Sequence, residues 1–324
     1  MKITANEFVL PMRDGFSCHA SAFLPFDGGE VLCVYFYGSQ EGRDDVRIFS
    51  SRRNADGVWS DPEAVTEDDG VPHWNPVLQA CENGEIILFY KVGKTIADWV
   101  TRCKISSDGG RTWGDSFEMI EGDRSGGRGP VRNRILTLRD GTWIAPGSTE
   151  QGEWKCFFDR STDGGLTWTR SADLTLSDEI LGKYESRRKK GIIQPALWES
   201  ENGVHALLRS TEGSIYRTDS ENGIDWCPPY AIPMPNNNSG IDACRLPDGR
   251  VILACNPVSK NWGARTPMSL FVSEDNGETF TLLTHLTTMP GEYSYPALRY
   301  ENGRLHVTYT WNRRTVQYFC FEGL

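Results

Sequence analysis

The sequence is short of positive charge and contains no apolar run long enough to cross a membrane. Lys and Arg number 34 against 44 Asp and Glu, which gives a formal net charge of −10 at pH 7. Nucleic acids and anionic membranes are held by basic surfaces, so this balance argues against both kinds of partner. A small acidic ligand stays compatible with it, because a few local arginines are enough to bind one anion.

Paired cysteine motifs are also missing, although the chain contains 9 cysteines. Most of them lie in apolar segments typical of strands, so we expect buried free thiols and neither disulfides nor a zinc site. The first residues contain no apolar stretch of signal-peptide length, and together with the free thiols this predicts a cytoplasmic protein. No pattern indicates a metal or an organic cofactor, and none indicates the oligomeric state.

A short motif, S-x-D-x-G-x-T-W, recurs along the chain and is known as an Asp box. Copies begin at Ser106, Ser161 and Ser273, a degenerate copy begins at Asp219, and a remnant spans 54–59. The aromatic residues that close the copies lie at positions 59, 113, 168, 226 and 280, so the gaps are 54, 55, 58 and 54. So steady a period indicates a repeat architecture.

Tight turns between the boxes give a second count of the repeats. Each unit contains an apolar strand, an Asp-Gly or Asn-Gly turn and another apolar strand, and these dipeptides supply the positive φ that tight hairpins require. The count is six, where the boxes alone give five. The turns are Asp27-Gly28, Asn83-Gly84, Asp140-Gly141, Asn202-Gly203, Asp248-Gly249 and Asn302-Gly303.

The last repeat has no box, because the chain ends soon after its third apolar segment. The N-terminal segment ITANEFVL precedes the first repeat and is free to supply the missing outermost strand. We therefore predict an all-β fold, a six-bladed β-propeller formed as a single domain by residues 1–324 and closed by the N-terminal strand.

The boxes themselves are interpreted as scaffold. Their Asp side chains can bond backbone amides in the turn, and their Trp side chains can pack between strands. They are not calcium loops, since the ligand spacing of an EF-hand is absent. The charged segment 177–190 interrupts the repeat rhythm and is expected to be an exposed loop or a short helix.

The starts of the first strands of the repeats are unusually polar for buried strands. In a propeller these strands converge on the axis, so we expect their first residues to line one central pocket. Any single one of them can instead serve only to satisfy backbone groups along the axis. The candidates are His19, His73, Asn75, Arg132, Gln194, Asp242, Tyr293 and Tyr295.

The ends of the second strands and one loop add further candidates. The loop 38–45 is rich in Gly and carboxylates, so it can carry an acid over the pocket, and a solvated turn is the alternative. Its carboxylates are Glu41, Asp44 and Asp45. The candidates at the ends of second strands include Lys91, Arg209, Asn256 and Trp311.

These features resemble the sialidase superfamily, and most closely its branch of predicted neuraminidases with BNR repeats. The resemblance covers essentially the whole chain, and the Asp boxes are specific for the fold. It implies a glycosidase that acts on acidic sugars. The segments that resemble the branch are HWNPVL, QPALWES, NSGIDACRLPDGR, ARTPMSL and GEYSYPALRYENGRLHVTYTW.

The resemblance also implies roles for single residues. Exo-sialidases hold the substrate carboxylate with three arginines, and Arg209 in ALLRS and Arg265 in ARTPMSL are similar to two of them. Tyr295 matches the tyrosine nucleophile, with Tyr293 as a nearby competitor, and Asp44 lies in a stretch similar to the loop of the family's acid/base residue.

Two positions depart from the family pattern. His19 in HASAF stands where the family has its first arginine, and Gln194 stands where the family has the glutamate that activates the tyrosine. A glutamine side chain cannot accept a proton, so Tyr295 lacks its usual base. The ordinary sialidase mechanism therefore does not transfer directly to this chain.

Three functions are compatible with these residues. The first is an exo-acting hydrolase of a sialic acid or related acidic sugar or oligosaccharide, in which His19 or His73 replaces the missing base. The second is a β-eliminating lyase on a uronic-acid glycan, which differs by releasing a product with a conjugated double bond. The third is a non-catalytic propeller that binds glycans by stacking aromatic side chains such as Trp74, Trp99, Trp262 and Trp311 on sugar faces.

Overall fold

The computed structural model describes residues 1–324 and consists almost entirely of β-strands. In chain order the strands are β1 (Lys2–Phe8), β2 (Ser17–Pro25), β3 (Val31–Gly38), β4 (Arg47–Arg53), β5 (Glu63–Ala64), β6 (His73–Ala80), β7 (Ile86–Val92), β8 (Val100–Ser106), β9 (Phe117–Glu118), β10 (Leu136–Thr137), β11 (Trp143–Thr149), β12 (Lys155–Ser161), β13 (Thr169–Arg170), β14 (Ile192–Ser200), β15 (Gly203–Ser210), β16 (Ser214–Ser220), β17 (Tyr230–Pro235), β18 (Asp242–Arg245), β19 (Val251–Cys255), β20 (Met268–Ser273), β21 (Thr281–Thr287), β22 (Tyr293–Glu301), β23 (Arg304–Trp311) and β24 (Thr315–Glu322).

These strands form six sheets of four strands each. Five blades, numbered 1 to 5, each use four consecutive strands from β2 to β21. Blade 6 has the order β1-β24-β23-β22, so its outermost strand comes from the N-terminus. The fold is a six-bladed β-propeller, and both the blade count and the closing strand confirm the prediction.

The chain divides into two compact units. The first unit contains residues 1–128 and 295–324, and the second contains residues 129–294. In the first unit, one apolar core combines side chains of blades 6 and 1, and another combines blades 1 and 2. In the second unit, one core combines blades 3 and 4, and another combines blades 4 and 5. A single domain over residues 1–324 stays a prediction.

The closing strand β1 is fixed to its neighbours by backbone and side-chain bonds. It pairs antiparallel with β24 from Lys2 opposite Glu322 to Phe8 opposite Gln317. The Glu7 carboxylate accepts two hydrogen bonds from the Arg53 guanidinium, both of 2.8 Å, and one of 2.9 Å from the Trp59 indole. Burial alone would raise the pKa of Glu7, but these bonds and the charge of Arg53 lower it.

The Asp boxes are turn scaffolds, as predicted. The Asp163 carboxylate accepts hydrogen bonds from the backbone amides of Leu166 and Thr167 and from the Thr167 hydroxyl. These bonds lower the pKa of Asp163 to about 2. The same pattern holds Asp108 and Asp275 in the neighbouring copies.

The degenerate box is one residue shorter than predicted. Asn222 takes the place of the aspartate, and its side-chain oxygen accepts hydrogen bonds from the amides of Ile224 and Asp225. The box therefore begins at Ser220, whose hydroxyl accepts from the Gly223 amide, and a start at Asp219 is wrong. The carboxylate of Asp219 bonds His205 and Arg217 instead.

Other expectations from the sequence concern cysteines and the charged segment. All nine cysteines are free and seven of them are buried, so the prediction of free thiols is confirmed, while the cytoplasmic location stays a prediction. The charged segment contains a short helix α1 (Asp178–Leu181) whose Leu181 joins the core of blades 3 and 4. None of the helices has the length and apolarity of a membrane span.

The bonds of Glu7 generate a pH-dependent prediction. Glu7→Gln is expected to lower the free energy of unfolding by about 1–3 kcal/mol near pH 7, because Arg53 loses a charged partner. The contribution is present above the unfolded pKa of about 4.3 and is lost as the pH falls through the lower folded value. Urea unfolding curves of the two proteins should therefore converge at acidic pH.

The control for this experiment is Glu301→Gln, since Glu301 is exposed and makes no side-chain hydrogen bond or ion pair. We expect it to change the free energy by less than about 0.5 kcal/mol. A Glu7→Gln deficit that persists undiminished well below the pKa of a free glutamate would contradict the assignment.

Candidate functional site

The first strands of four blades share a local distortion at their polar starts. Ala20, Asn75, Gln194 and Tyr295 have φ values of 56°, 43°, 56° and 55°, a region that residues other than glycine rarely occupy. The strand register shifts next to the first three of them. A bulge of this kind turns a side chain away from the normal alternation, and strained backbone of this kind is concentrated at functional sites.

In the first unit, the distortion brings His19 and Tyr295 together. Their ring centroids lie 4.0 Å apart with an interplanar angle of 50°. The Nδ1 atom of His19 lies 2.7 Å from the Thr310 hydroxyl, and its ring meets Phe36 edge to face. His19 is 1% exposed, so its imidazole is fixed by packing and by Thr310. Imidazole and phenol are both side chains that can take part in proton transfer.

The carboxylate loop lies in the same unit, and the structure distinguishes its three acids. Asp45 accepts bonds of 2.8 Å from both the amide and the hydroxyl of Ser39, so it closes the loop. Glu41 pairs with Arg313. Asp44 is exposed and makes no side-chain hydrogen bond or ion pair, which leaves its carboxyl group available to a ligand.

Trp74 supports this loop from below. A Cβ atom on Gly42 would lie 3.1 Å from the Trp74 ring, so the loop backbone rests on the indole at that point. The indole nitrogen donates to the Gly93 carbonyl, and the ring packs against Phe36 and Trp99. This packing fixes the base of the loop while Asp44 remains exposed.

Lys91 is fully buried, and its surroundings differ from those of a ligand-binding lysine. Its ammonium group donates to the Thr101 hydroxyl at 2.7 Å and to the carbonyl oxygens of Gly127 at 3.0 Å and Arg128 at 2.7 Å. An ammonium group has three donors, so these bonds use all of them. Lys91 therefore holds the loop 127–128 in place.

The remaining candidates of the first unit have contacts of their own. His73 is buried between Thr66, 2.7 Å from its Nδ1 atom, and Asp69, 3.2 Å from its Nε2 atom. Burial lowers the pKa of His73, although the Asp69 charge acts in the opposite direction. Asn75 is buried at its own bulge, and Trp311 packs edge to face on Phe8.

In the second unit, Arg209 and Gln194 are in direct contact. Arg209 donates from Nη1 to the Gln194 side-chain oxygen at 3.0 Å and from Nε to the Asn238 side-chain oxygen at 2.8 Å. The rings of Trp154 and Trp262 lie 5.9 and 6.0 Å from the guanidinium carbon. Both amide partners are uncharged, so neither of them neutralises the guanidinium.

Arg265 has a different environment in this unit. It donates to the Glu292 carboxylate at 2.8 Å and to the Ser294 hydroxyl at 3.3 Å. Glu292 is itself partly exposed, so the ion pair lies at the surface of the unit. Arg265 can bind an external anion only in competition with this carboxylate.

The other candidates of the second unit are buried. Asn256 donates to the carbonyl oxygens of Pro267 and Tyr293, and the Tyr293 hydroxyl donates to the Pro290 carbonyl. Asp242 accepts from the amide of the next residue. Arg132 is 2% exposed. The bonds of Asn256 and Tyr293 brace the backbone next to Arg265.

Several residues around these contacts were not identified from the sequence. Asn238 orients Arg209 and is itself held by the Asn261 side chain at 3.0 Å. Its φ of 60° suits asparagine, and the polar run NNNSG at 236–240 was the available signal. Thr310 and Trp154 gave none, because each looks like an ordinary strand or loop residue.

Comparison with known proteins identifies the repeats. The family model described as a BNR repeat-like domain matches residues 29–307. No curated protein is similar enough to match the chain. A protein of unknown function from Dyadobacter fermentans is similar at 14% identity with a TM-score of 0.76, and the match covers 99% of both chains.

Two similar structures have a described activity. The K499G mutant of the NanB sialidase from Streptococcus pneumoniae is 13% identical, with a TM-score of 0.70, 94% of this chain covered and 68% of that one. The Trypanosoma rangeli sialidase, described as a covalent intermediate with 2,3-difluorosialic acid, is 11% identical, with a TM-score of 0.71 and a coverage of 98% and 58%. At such identities the likeness shows the fold.

The environment of Lys91 generates a prediction that separates a structural from a ligand-binding role. Lys91→Met is expected to lower the free energy of unfolding by about 2–5 kcal/mol, because the Gly127 carbonyl loses its donor and the Arg128 carbonyl keeps only the bond from the Thr101 hydroxyl. Thermal unfolding measures the effect. The control Lys94→Met removes an exposed ammonium group nearby and should change little. An unchanged melting temperature in Lys91→Met would favour ligand binding instead.

Proposed function

The chain belongs to the BNR repeat-like domain family and has the six-bladed fold of sialidases, and on that premise we propose that it is an exo-acting glycoside hydrolase that removes a terminal sialic acid or related acidic sugar. An acidic sugar is also the kind of ligand that the Trypanosoma rangeli protein is described with.

The observation that carries the proposal is the contact between Arg209 and Gln194. A guanidinium group matches a carboxylate with two parallel hydrogen bonds, and it binds most strongly where water is excluded. Arg209 is 4% exposed and is oriented by two uncharged amides. A glutamate in place of Gln194 would compete with the substrate for this cation, and the glutamine does not.

Asp44 is proposed as the acid that protonates the leaving oxygen. A general acid must reach the glycosidic oxygen and release its proton without breaking other bonds. Of the three acids in the loop, Asp45 and Glu41 are engaged by Ser39 and Arg313, and Asp44 is not engaged by side-chain contacts. The loop position of Asp44 agrees with its resemblance to the acid/base loop of sialidases.

His19 and Tyr295 are proposed to act as a base and a nucleophile. The Tyr295 oxygen attacks the anomeric carbon while its proton passes to His19, and the bond to the leaving oxygen breaks as Asp44 gives up its proton. Water then attacks the anomeric carbon with Asp44 as the base, the bond between that carbon and the Tyr295 oxygen breaks, and the tyrosine oxygen recovers its proton from His19. The 4.0 Å ring contact supports this pairing, since the usual glutamate is absent.

A second candidate function is β-elimination on a uronic-acid glycan, and the His19–Tyr295 contact favours it too. There, His19 or Tyr295 removes the proton α to a carboxylate that arginine and amide groups neutralise, and a double bond forms as the leaving oxygen departs. A screen of sialosides and uronate oligosaccharides, with sugar release and ultraviolet absorbance both recorded, separates the two functions. Release without absorbance supports the hydrolase, and release with absorbance supports the lyase.

Mutation of Asp44 tests its role. Asp44→Asn is expected to lower kcat about 100-fold or more for a substrate with a poor leaving group, because protonation of the leaving oxygen is lost. The loss should be much smaller for a 4-nitrophenyl glycoside, whose leaving group needs no proton. Asp56→Asn, which changes an exposed acid of the remnant box, is the control. Equal losses on both substrates would remove Asp44 from the role of acid.

Mutation of Gln194 tests the acid recognition. Gln194→Glu is expected to weaken binding of the free acidic sugar about 10-fold, which corresponds to about 1.4 kcal/mol, because the new carboxylate neutralises Arg209. Calorimetric titration measures Kd without depending on turnover. Gln151→Glu adds the same charge to an exposed site of the same unit and should leave Kd unchanged. An unchanged Kd in Gln194→Glu would show that Arg209 does not bind the acid.

A further inference from the structure

A cleft in the first unit lies among residues to which the proposed reaction assigns no role. It has a volume of about 320 Å³, which is within the range of small-ligand sites. Its lining includes Glu30, Arg52, Arg53, Val58, Trp59 and Arg111, and we call this set the arginine cleft. Three guanidinium groups therefore line one small cleft in a chain whose net charge is −10.

Two of these arginines share one loosely held carboxylate. The Nη2 atoms of Arg52 and Arg111 lie 3.9 and 3.6 Å from the same Oε2 atom of Glu30. Both separations exceed hydrogen-bond length, and the Glu30 side chain is 40% exposed. Arg53 differs from these two arginines, because its guanidinium forms two hydrogen bonds of 2.8 Å with the Glu7 carboxylate, which balances its charge. Glu30 therefore marks a position where an oxygen anion is attracted by two cations and only weakly bound.

The two guanidinium groups are held in place by uncharged groups. Arg52 donates from Nη1 to the Gly109 carbonyl at 2.7 Å and lies over the Phe26 ring, and Arg111 donates from Nη1 to the Asp108 carbonyl at 3.0 Å. Burial and the nearby charge of Arg111 lower the pKa of Arg52, and the surrounding carboxylates offset this only in part. An added anion would relieve the repulsion between the two cations.

An apolar wall completes the cleft. Trp59 lines it, and Val58 beside it is 61% exposed. Indole rings and apolar side chains pack against the C–H faces of sugar rings, while guanidinium groups bind carboxylate and sulfate oxygens. We propose that the arginine cleft is a second binding site for acidic saccharides, with the ligand's carboxylate or sulfate between Arg52 and Arg111 and a sugar ring against Val58 and Trp59.

The position of Glu30 gives the proposal a test with effects in opposite directions. Glu30→Gln removes the competing carboxylate, so binding should tighten about 3- to 10-fold. Arg111→Gln removes one cation and should weaken binding about 10-fold or more. Arg111 is suited to substitution because its side chain is 59% exposed, whereas Arg52 bonds the Gly109 carbonyl and its loss risks the fold. Arg124→Gln, which breaks an exposed ion pair with Glu118, is the control of equal charge change.

Calorimetric titration of the full chain with a sulfated disaccharide, a uronate disaccharide and inorganic sulfate supplies the readings. Tighter binding of a disaccharide in Glu30→Gln and weaker binding in Arg111→Gln, with Arg124→Gln unchanged, supports the site. No measurable binding, or binding that neither substitution alters, overturns it. If inorganic sulfate binds as tightly as both disaccharides and Val58→Ser does not change the affinity, the cleft binds anions alone and the saccharide assignment is overturned.

The site is independent of the proposed reaction. Arg111→Gln should leave turnover of a small acidic glycoside unchanged, because the substitution lies outside the groups assigned to the chemistry. A chain that shows no turnover at all would still be expected to bind the disaccharides in this cleft. Failure of one proposal can therefore be told from failure of the other.

Discussion

A four-stranded blade has two faces and too little volume to bury either of them, and this constraint shapes the whole chain. Within each compact unit, adjacent blades cover each other's faces and share an apolar core. Blade 4 shows how the sequence meets the demand. Along β15, Val204, Ala206 and Leu208 join the core with blade 3, whereas Leu207 joins the core with blade 5. Alternating side chains thus serve two cores at once, and the strand is apolar on both faces.

That apolar packing leaves the strand starts available for chemistry. Where β2, β6, β14 and β22 begin, the backbone departs from strand geometry and places Ala20, Asn75, Gln194 and Tyr295 in the left-handed region. Packing in the blade cores and pairing along the remainder of each strand hold these residues in the strained backbone conformation. Rigid strands with a strained start are a suitable base for a site, because they orient side chains such as Gln194 and Tyr295 without a mobile loop.

The architecture was readable from the sequence because it repeats. One period relates the Asp boxes, the Asn-Gly and Asp-Gly turns and the apolar segments. A degenerate copy can therefore be recognised by its spacing from the clear copies. The start of the box at Asp219 was placed one residue too early, since asparagine replaces aspartate there and the local spacing is shorter.

The contacts of the candidate site could be predicted less well from the sequence. The contact of Gln194 with Arg209 joins neighbouring strands, and the pairing of His19 with Tyr295 joins strands that are distant in the sequence. The role of Thr310 became visible only through its hydrogen bond to His19.

The pairing of β1 with β24 has a consequence for synthesis on the ribosome. The Thr4 hydroxyl bonds the carbonyl of Cys320, 316 residues further along the chain. At a translation rate of about 5–20 residues per second, β1 remains unpaired for roughly 15 to 60 s before β24 is synthesised. During that interval its edge is open to nascent chains on the same messenger, so the last blade is the step of biogenesis most exposed to mispairing between molecules.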